Sequence, residues 1–353
     1  MATDDRLQLA GWWPTKGTPA RNEFVGSEVC GQCHASKFQS QKRTPMANAS
    51  SLAANSLALR SHDRLTFHLA SYTYEIVRSE SGSTYSVSDG AHSIAAPLSW
   101  AFGLGESGQT YIFVRDGVFY ESRLSYYRAP DALDFTPGAP TTPSADLEEA
   151  LGRRMIYAPE THRCFGCHST ASTANNQFDP AHLIPGVTCE ACHSPGAKHV
   201  AAMKAGHLDQ GLAAIFNPGR LGPVDLVDFC GACHRAFMDV ALTQRFGILN
   251  LRFQPYRLER SQCWEKARIT CLDCHDPHEP RNRDLTAYDN TCLGCHSKAA
   301  GSAANTGHPG KVCTVSTKDC VSCHMPKYEM PGMHFKFTDH YIHIVRDGQG
   351  YVD

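Results

Sequence analysis

Sixteen cysteines and nineteen histidines stand out in a chain of 353 residues, and their spacing says what chemistry they could do. Fourteen of the cysteines fall into one pentapeptide, C-x-x-C-H, repeated seven times: Cys30 to His34, Cys164 to His168, Cys189 to His193, Cys230 to His234, Cys271 to His275, Cys292 to His296 and Cys320 to His324. Two thiols at i and i+3 can add across the two vinyl groups of a haem, while the adjacent histidine takes the iron from one face. Zinc cages and thioredoxin-like redox pairs also use C-x-x-C, but neither requires a histidine at the next position. Seven is also an odd number of pairs for four-ligand cages. The expectation is seven covalently bound haem c groups. Their thioether bonds fall at Cys30, Cys33, Cys164, Cys167, Cys189, Cys192, Cys230, Cys233, Cys271, Cys274, Cys292, Cys295, Cys320 and Cys323. Their proximal iron ligands are His34, His168, His193, His234, His275, His296 and His324.

Seven low-spin haems need seven ligands on their other faces, and twelve histidines lie outside the motifs. His162, His199, His278, His308, His334 and His340 lie near a motif, and each is expected to ligate a haem from the distal side; His62, His68, His92, His182, His207 and His343 make up the remainder. No histidine follows His34 until His62, so Met46 is the expected distal ligand of the first haem. A thioether there would raise that haem's potential above its bis-histidine neighbours. Cys263 and Cys313 are the two thiols outside the motifs. In an oxidising compartment a disulfide between them is the plain expectation, with a reactive or metal-binding thiol as the alternative.

These sites need elements to hold them. An ordinary domain offsets chain entropy with a large apolar interior, whereas a chain this dense in haem motifs could use its porphyrins as the core. The fold expected is therefore a mostly irregular and α-helical multihaem cytochrome, its core formed by the haems, with a small antiparallel β subdomain. Between the first and second motifs the sequence alternates, as in Leu65-Phe67-Leu69, Tyr72-Tyr74-Ile76 and Tyr85-Val87, with turn residues at Asp89-Gly90 and Asp116-Gly117. That pattern predicts hairpins. The organisation expected is an N-terminal segment 1–60 with the first haem, a haem-free β-rich subdomain 61–128, a linker 129–146 holding Pro130, Pro137, Pro140 and Pro143, and a six-haem domain 147–353. Helices are expected at Leu147–Met155, Ala197–Lys204 and Val224–Val240.

Charge and hydropathy exclude several partners. Lys and Arg number 33 against 35 Asp and Glu, a net charge of −2, which lacks the basic excess that binds nucleic acid. No apolar run is long enough for a membrane span. Met1 to Arg6 shows no secretory leader, so an exported protein would be read here as a mature or renumbered chain. Because covalent haem attachment takes place outside the bacterial cytoplasm, the expected address is periplasmic or extracellular.

Three stretches carry a family resemblance: Gly186 to Gly196 around the third motif, Ser261-Gln262-Cys263 leading to Thr270 through His278 around the fifth, and Cys320 to His324 followed by Met325-Pro326-Lys327 and Phe337-Thr338-Asp339-His340. Over roughly residues 24–48 and 160–345 the chain resembles the cytochrome c554-like multihaem c-type cytochromes. The resemblance implies mostly bis-histidine haems and electron transfer, with distal roles for His199, His278 and His340. The chain departs from the family in having seven motifs where the namesake has four, and in Pro45-Met46 where many relatives have a histidine. The C-x-x-C-K motif of pentahaem nitrite reductases does not occur. The function expected is single-electron transfer along closely spaced haems between redox partner proteins, with no catalytic residue assigned. Two alternatives stand beside it: an oxidoreductase acting on nitrite, hydroxylamine or nitric oxide at one open haem, and a subunit of a larger membrane-associated complex or a self-assembling cytochrome filament.

Overall fold

The computed structural model describes residues 20–156, 159–174, 177–244, 246–297, 311–346 and 348–353. Its largest element is a nine-stranded antiparallel sheet built from β1 (Ser50–Leu52), β2 (Arg64–Leu69), β3 (Tyr72–Ser79), β4 (Gly82–Ser88), β5 (Ser93–Phe102), β6 (Gln109–Arg115), β7 (Val118–Tyr127), β8 (Ala132–Phe135) and β9 (Gly152–Arg154). Strands β2 to β8 follow one another as a meander, with β1 added to β5 and β9 added to β7. The turns explain the register. At Asp116-Gly117 both residues have positive φ, 50° and 76°, the conformation a tight two-residue hairpin requires. The Asp89 carboxylate accepts the backbone N–H of Ala91 and His92 at 2.8 and 2.7 Å, closing the β4–β5 connection.

Period-two alternation sends one face of each strand inward. Tyr74, Ile76, Tyr85, Val87, Ala96, Leu98, Tyr111, Phe113 and Leu124 form a continuous buried cluster, capped by Ala150 and Leu151 of the short helix Leu147–Leu151. Burying each large apolar side chain contributes roughly 1.5–3 kcal/mol relative to exposure. The sheet bends at register shifts between Leu98 and Trp100 and between Thr110 and Ile112. It curls far enough that Phe67 of β2 meets Phe135 of β8 edge to face at 5.3 Å, giving a nearly closed barrel.

This overturns the expected fold class. The β part is not a small subdomain in a mostly irregular and helical chain, and the core is not supplied by haems alone. The sheet runs from Ser50 to Arg154, beyond the 61–128 span expected, and takes β8 from the proline-rich stretch. That stretch is fastened to the barrel by buried Arg123, whose guanidinium donates to the carbonyl oxygens of Pro140 and Thr142.

The remaining chain is made of short helices joined by irregular segments. Ala197–Lys204 is helical as expected. The helix expected over Val224–Val240 is two, Pro223–His234 and Phe237–Thr243, because Arg235 adopts φ 60° at the junction. Leu147–Met155 is likewise divided, Gly152–Arg154 leaving the helix to pair with β7. The outer face of the barrel docks onto this region. Phe102, Ile112 and Phe119 pack with Met155, Phe165 and Phe178 in a second buried cluster. Among the described residues no helix is long and apolar enough to cross a membrane.

Candidate haem-binding sites

Each motif sits on a turn of helix, which brings its two cysteines to one face. The segments are Ser27–Gly31 and the turn after it, Pro159–His168, Cys189–His193, Pro223–His234, the 3-10 turn Cys271–Asp273, Asp289–His296 and Cys320–His324. The backbone N–H of His34 donates to the carbonyl of Cys30, and that of His275 to Cys271, both at 2.9 Å, so the histidine closes the same turn as the thiols.

Four of the seven motif imidazoles are oriented by backbone carbonyls. Nδ1 of His168 donates to Ala49 O at 3.0 Å, that of His193 to Phe216 O at 2.9 Å, that of His296 to Lys311 O at 2.8 Å and that of His324 to His343 O at 2.8 Å. A carbonyl oxygen only accepts, so the proton is on Nδ1 and the lone pair on Nε2, the tautomer a metal-ligating imidazole needs.

Three motif imidazoles face a second imidazole. His34 lies opposite His199 with ring centroids 6.5 Å apart, His193 opposite His278 at 5.9 Å, and His275 opposite His340 at 6.3 Å. A metal–nitrogen bond of about 2 Å on each side, plus the depth of each ring, puts two such centroids about 6 Å apart. The residues therefore fit an iron between each pair. The outer rings are oriented like the motif rings, His199 Nδ1 donating to Gly211 O at 2.8 Å, His340 Nδ1 to Thr338 O at 3.1 Å and His278 Nδ1 to the Asp276 carboxylate at 2.8 Å. Desolvation pushes His340 down to about 4, with neighbouring His275 as a further cause, which leaves it neutral and able to ligate at physiological pH.

The pairing is regular. The partner of the first motif follows the third, that of the third follows the fifth, and that of the fifth follows the seventh. Contacts between motifs set their order in space. The first cysteines of motifs one and three, Cys30 and Cys189, are neighbours, as are Cys230 with Cys271 and Cys292 with Cys320. Cys192 and Cys233 pack against one apolar cluster, joining motifs three and four, and the Cys167 thiol meets Ala232 O at 3.7 Å, joining two and four. Buried Glu190, inside the third motif, accepts Val25 N, Gly26 N and Gly196 N at 2.9, 2.8 and 2.7 Å, tying it to the first. Asp289 accepts Asp319 N and Cys320 N, both at 2.9 Å, and ties the sixth motif to the seventh.

The second motif is the one set against the barrel. Phe165, between its cysteines, meets Phe102 at 4.9 Å and Trp100 at 5.2 Å, and the His168 ring stacks on Phe102 at 5.0 Å.

Several expectations are placed differently. The ring opposite His34 is that of His199, while Met46 sits half-buried in a turn, its carbonyl accepting Val187 N at 2.8 Å. His334 uses Nε2 on Asp134 at 2.7 Å and packs against Tyr127, so it fastens the chain to the barrel. His162 is half-buried on the helix Pro159–His168. His308 lies outside the described residues. Cys263 and Cys313, expected as a disulfide, have different neighbours: Cys263 lies by Cys292 and Cys295, and Cys313 accepts the N–H groups of Val315 and Ser316. His343 lies outside the expected distal set but next to the seventh motif, His324 Nδ1 donating to its carbonyl at 2.8 Å. Its Nδ1 donates to Tyr341 O at 2.7 Å, and its buried Nε2 makes no hydrogen bond. The H-x-x-H spacing from His340 was the signal available.

Two family models match the chain. One, described as cytochrome c554 and c-prime, covers residues 141–194, and the other, a doubled CXXCH motif, covers 266–301. Together with the motifs, these matches support a multihaem c-type cytochrome that binds haem c. The high-molecular-weight cytochrome c of Nitratidesulfovibrio vulgaris is 24% identical over 169 residues, which is 46% of this chain and 25% of that one. The multihaem cytochrome MtrA of Shewanella baltica is 24% identical over 216 residues, 57% of this chain and 58% of that one. This cytochrome thus spans about a quarter and somewhat over half of the curated relatives it matches. No solved structure matches it.

Proposed function

We propose that this cytochrome carries one haem c at each of its seven motifs and conducts single electrons along them between redox partner proteins outside the cytoplasm. Bound haem c supplies a one-electron iron couple. The chain's own residues hold each group by two thioethers and present Nε2 of the motif histidine, and at motifs two, three, six and seven an Nδ1 hydrogen bond to a backbone carbonyl fixes that ring. His199, His278 and His340 close the opposite faces for motifs one, three and five. His343, with its Nε2 uncommitted, is a further distal ligand for a haem of the same cluster. The contacts between motifs, with the Thr291 hydroxyl donating to Asp273 O at 3.2 Å between the sixth and fifth, support an order one, three, four, five, six, seven, with the second joining at the fourth.

The observation that carries this reading is the set of three imidazole pairs at an iron-spanning separation. The test is intact mass against the 38.7 kDa polypeptide together with a pyridine haemochrome count. Seven haems per chain are expected. A lower count in fully matured protein, or a mass equal to that of the polypeptide alone, would refute the reading.

A further inference from the structure

His340 and His343 stand on a segment without regular secondary structure, yet both rings are held in one orientation. Its shape is imposed from the end of the helix Gln254–Glu259. Arg257, fully buried, grips Asp339 with two bonds, Nε to Oδ1 at 2.8 Å and Nη2 to Oδ2 at 2.7 Å. The guanidinium lies between the rings of Tyr341 and Tyr351, 5.3 and 4.6 Å from their centroids. Asp339 in turn accepts Tyr341 N at 2.9 Å, which folds the backbone between the two histidines. Ser261 completes the clamp, its hydroxyl donating to His340 O at 3.2 Å and accepting Ile342 N at 2.8 Å. Asp339 N also donates to Pro326 O at 2.8 Å, just past the seventh motif.

We propose that Arg257 is a positioning residue for axial ligation: through Asp339 it sets where the Nε2 atoms of His340 and His343 point. A buried ion pair is a poor source of net stability, and well-packed apolar replacements are often neutral or better. Its retention beside two ligand-bearing residues is explained by geometry. The planar fork of arginine can hold both carboxylate oxygens at once, and the point charge of lysine cannot. The inference rests on the reading of His340 and His343 as iron ligands.

The experiment uses the haem-loaded protein. In Arg257→Met/Asp339→Leu the buried pair is replaced by apolar side chains, so folding and haem count are kept while the clamp is lost. Roughly one to two haem equivalents should leave the low-spin EPR envelope and become able to bind carbon monoxide. Arg257→Lys, which keeps the charge, should shift the same low-spin g-values without restoring them. Wild-type EPR spectra and potentials in the double variant would overturn the proposal; if that variant does not fold, an unchanged spectrum in Arg257→Lys would do so. His340→Ala separates the two claims. It should open one haem to carbon monoxide, and if it does not, the ligand reading falls and the positioning role with it. If it does while the clamp variants stay wild-type, the positioning role falls alone.

Discussion

Lys37, three residues past the first motif, donates to the Asp276 carboxylate at 2.7 Å, although the two stand 239 positions apart in the chain. The same carboxylate accepts Nδ1 and the backbone N–H of His278, at 2.8 and 2.9 Å. One side chain thus orients the imidazole that faces His193 and links that site to the first motif.

Removing the carboxylate should be felt electronically more than thermodynamically. Lys37→Ala should leave the thermal melt nearly unchanged, because exposed pairs contribute little. Asp276→Ala, by withdrawing the acceptor from His278 Nδ1 and with it a negative charge, should raise the midpoint potential of one haem in a spectroelectrochemical titration. An unchanged titration would mean that His278 is not a ligand.

The ligand of the first haem is tested directly. His199→Ala should convert one low-spin haem into a carbon-monoxide-binding one, seen in the reduced-plus-carbon-monoxide difference spectrum, and Met46→Ala should leave the spectrum unchanged. The reverse result would restore the thioether and remove the imidazole.

Glu190 holds the first and third motifs together with three backbone N–H groups. Glu190→Gln replaces a charged acceptor by one that also presents donors, and should destabilise by roughly 1.5–3 kcal/mol in chemical denaturation. A change of only a few tenths would show that the two motifs are held by their haems alone.

The barrel should fail independently of the haems. Phe113→Ala empties part of its interior and should cost about 3–5 kcal/mol, read by far-ultraviolet circular dichroism, while haem content stays at wild-type level. Loss of haem in step with the sheet would show that the two cores fold as one.

Acid should act on the barrel through Asp131. Its carboxyl is held below the usual value by the Tyr126 hydroxyl at 2.6 Å, and His62 adds to the effect. A lowered carboxyl stabilises the folded state above the ordinary value of about 3.9, and that contribution is lost as the pH falls through the folded value. Asp131→Asn should therefore melt earlier than wild type at pH 7, and the difference should close under acid. A gap that persists there would assign the effect to something other than ionisation.

The C-x-x-C-H motifs were legible because each is local: five adjacent positions carry its whole pattern. The hairpins of β2 to β7 were legible for the same reason, through alternation and turns such as Asp116-Gly117. The extent of the sheet was not. β1, β8 and β9 have three or four residues each, too few to show a period, and β8 lies among prolines. The facing imidazoles were half legible. His199, His278 and His340 sit in family-like runs, but nothing in the sequence says that His334 spends its Nε2 on Asp134 while His343 keeps its own uncommitted. That choice is made by tertiary contacts, Asp134 on one side and the Arg257 clamp on the other.

The interleaving of motifs and facing imidazoles bears on what a shortened chain would lose. The imidazole that faces the first motif comes after the third, the one that faces the third comes after the fifth, and the one that faces the fifth comes after the seventh. A polypeptide cut short before His340 would therefore lack the ring opposite a motif lying two motifs upstream, so loss of the tail would be felt in the middle of the chain.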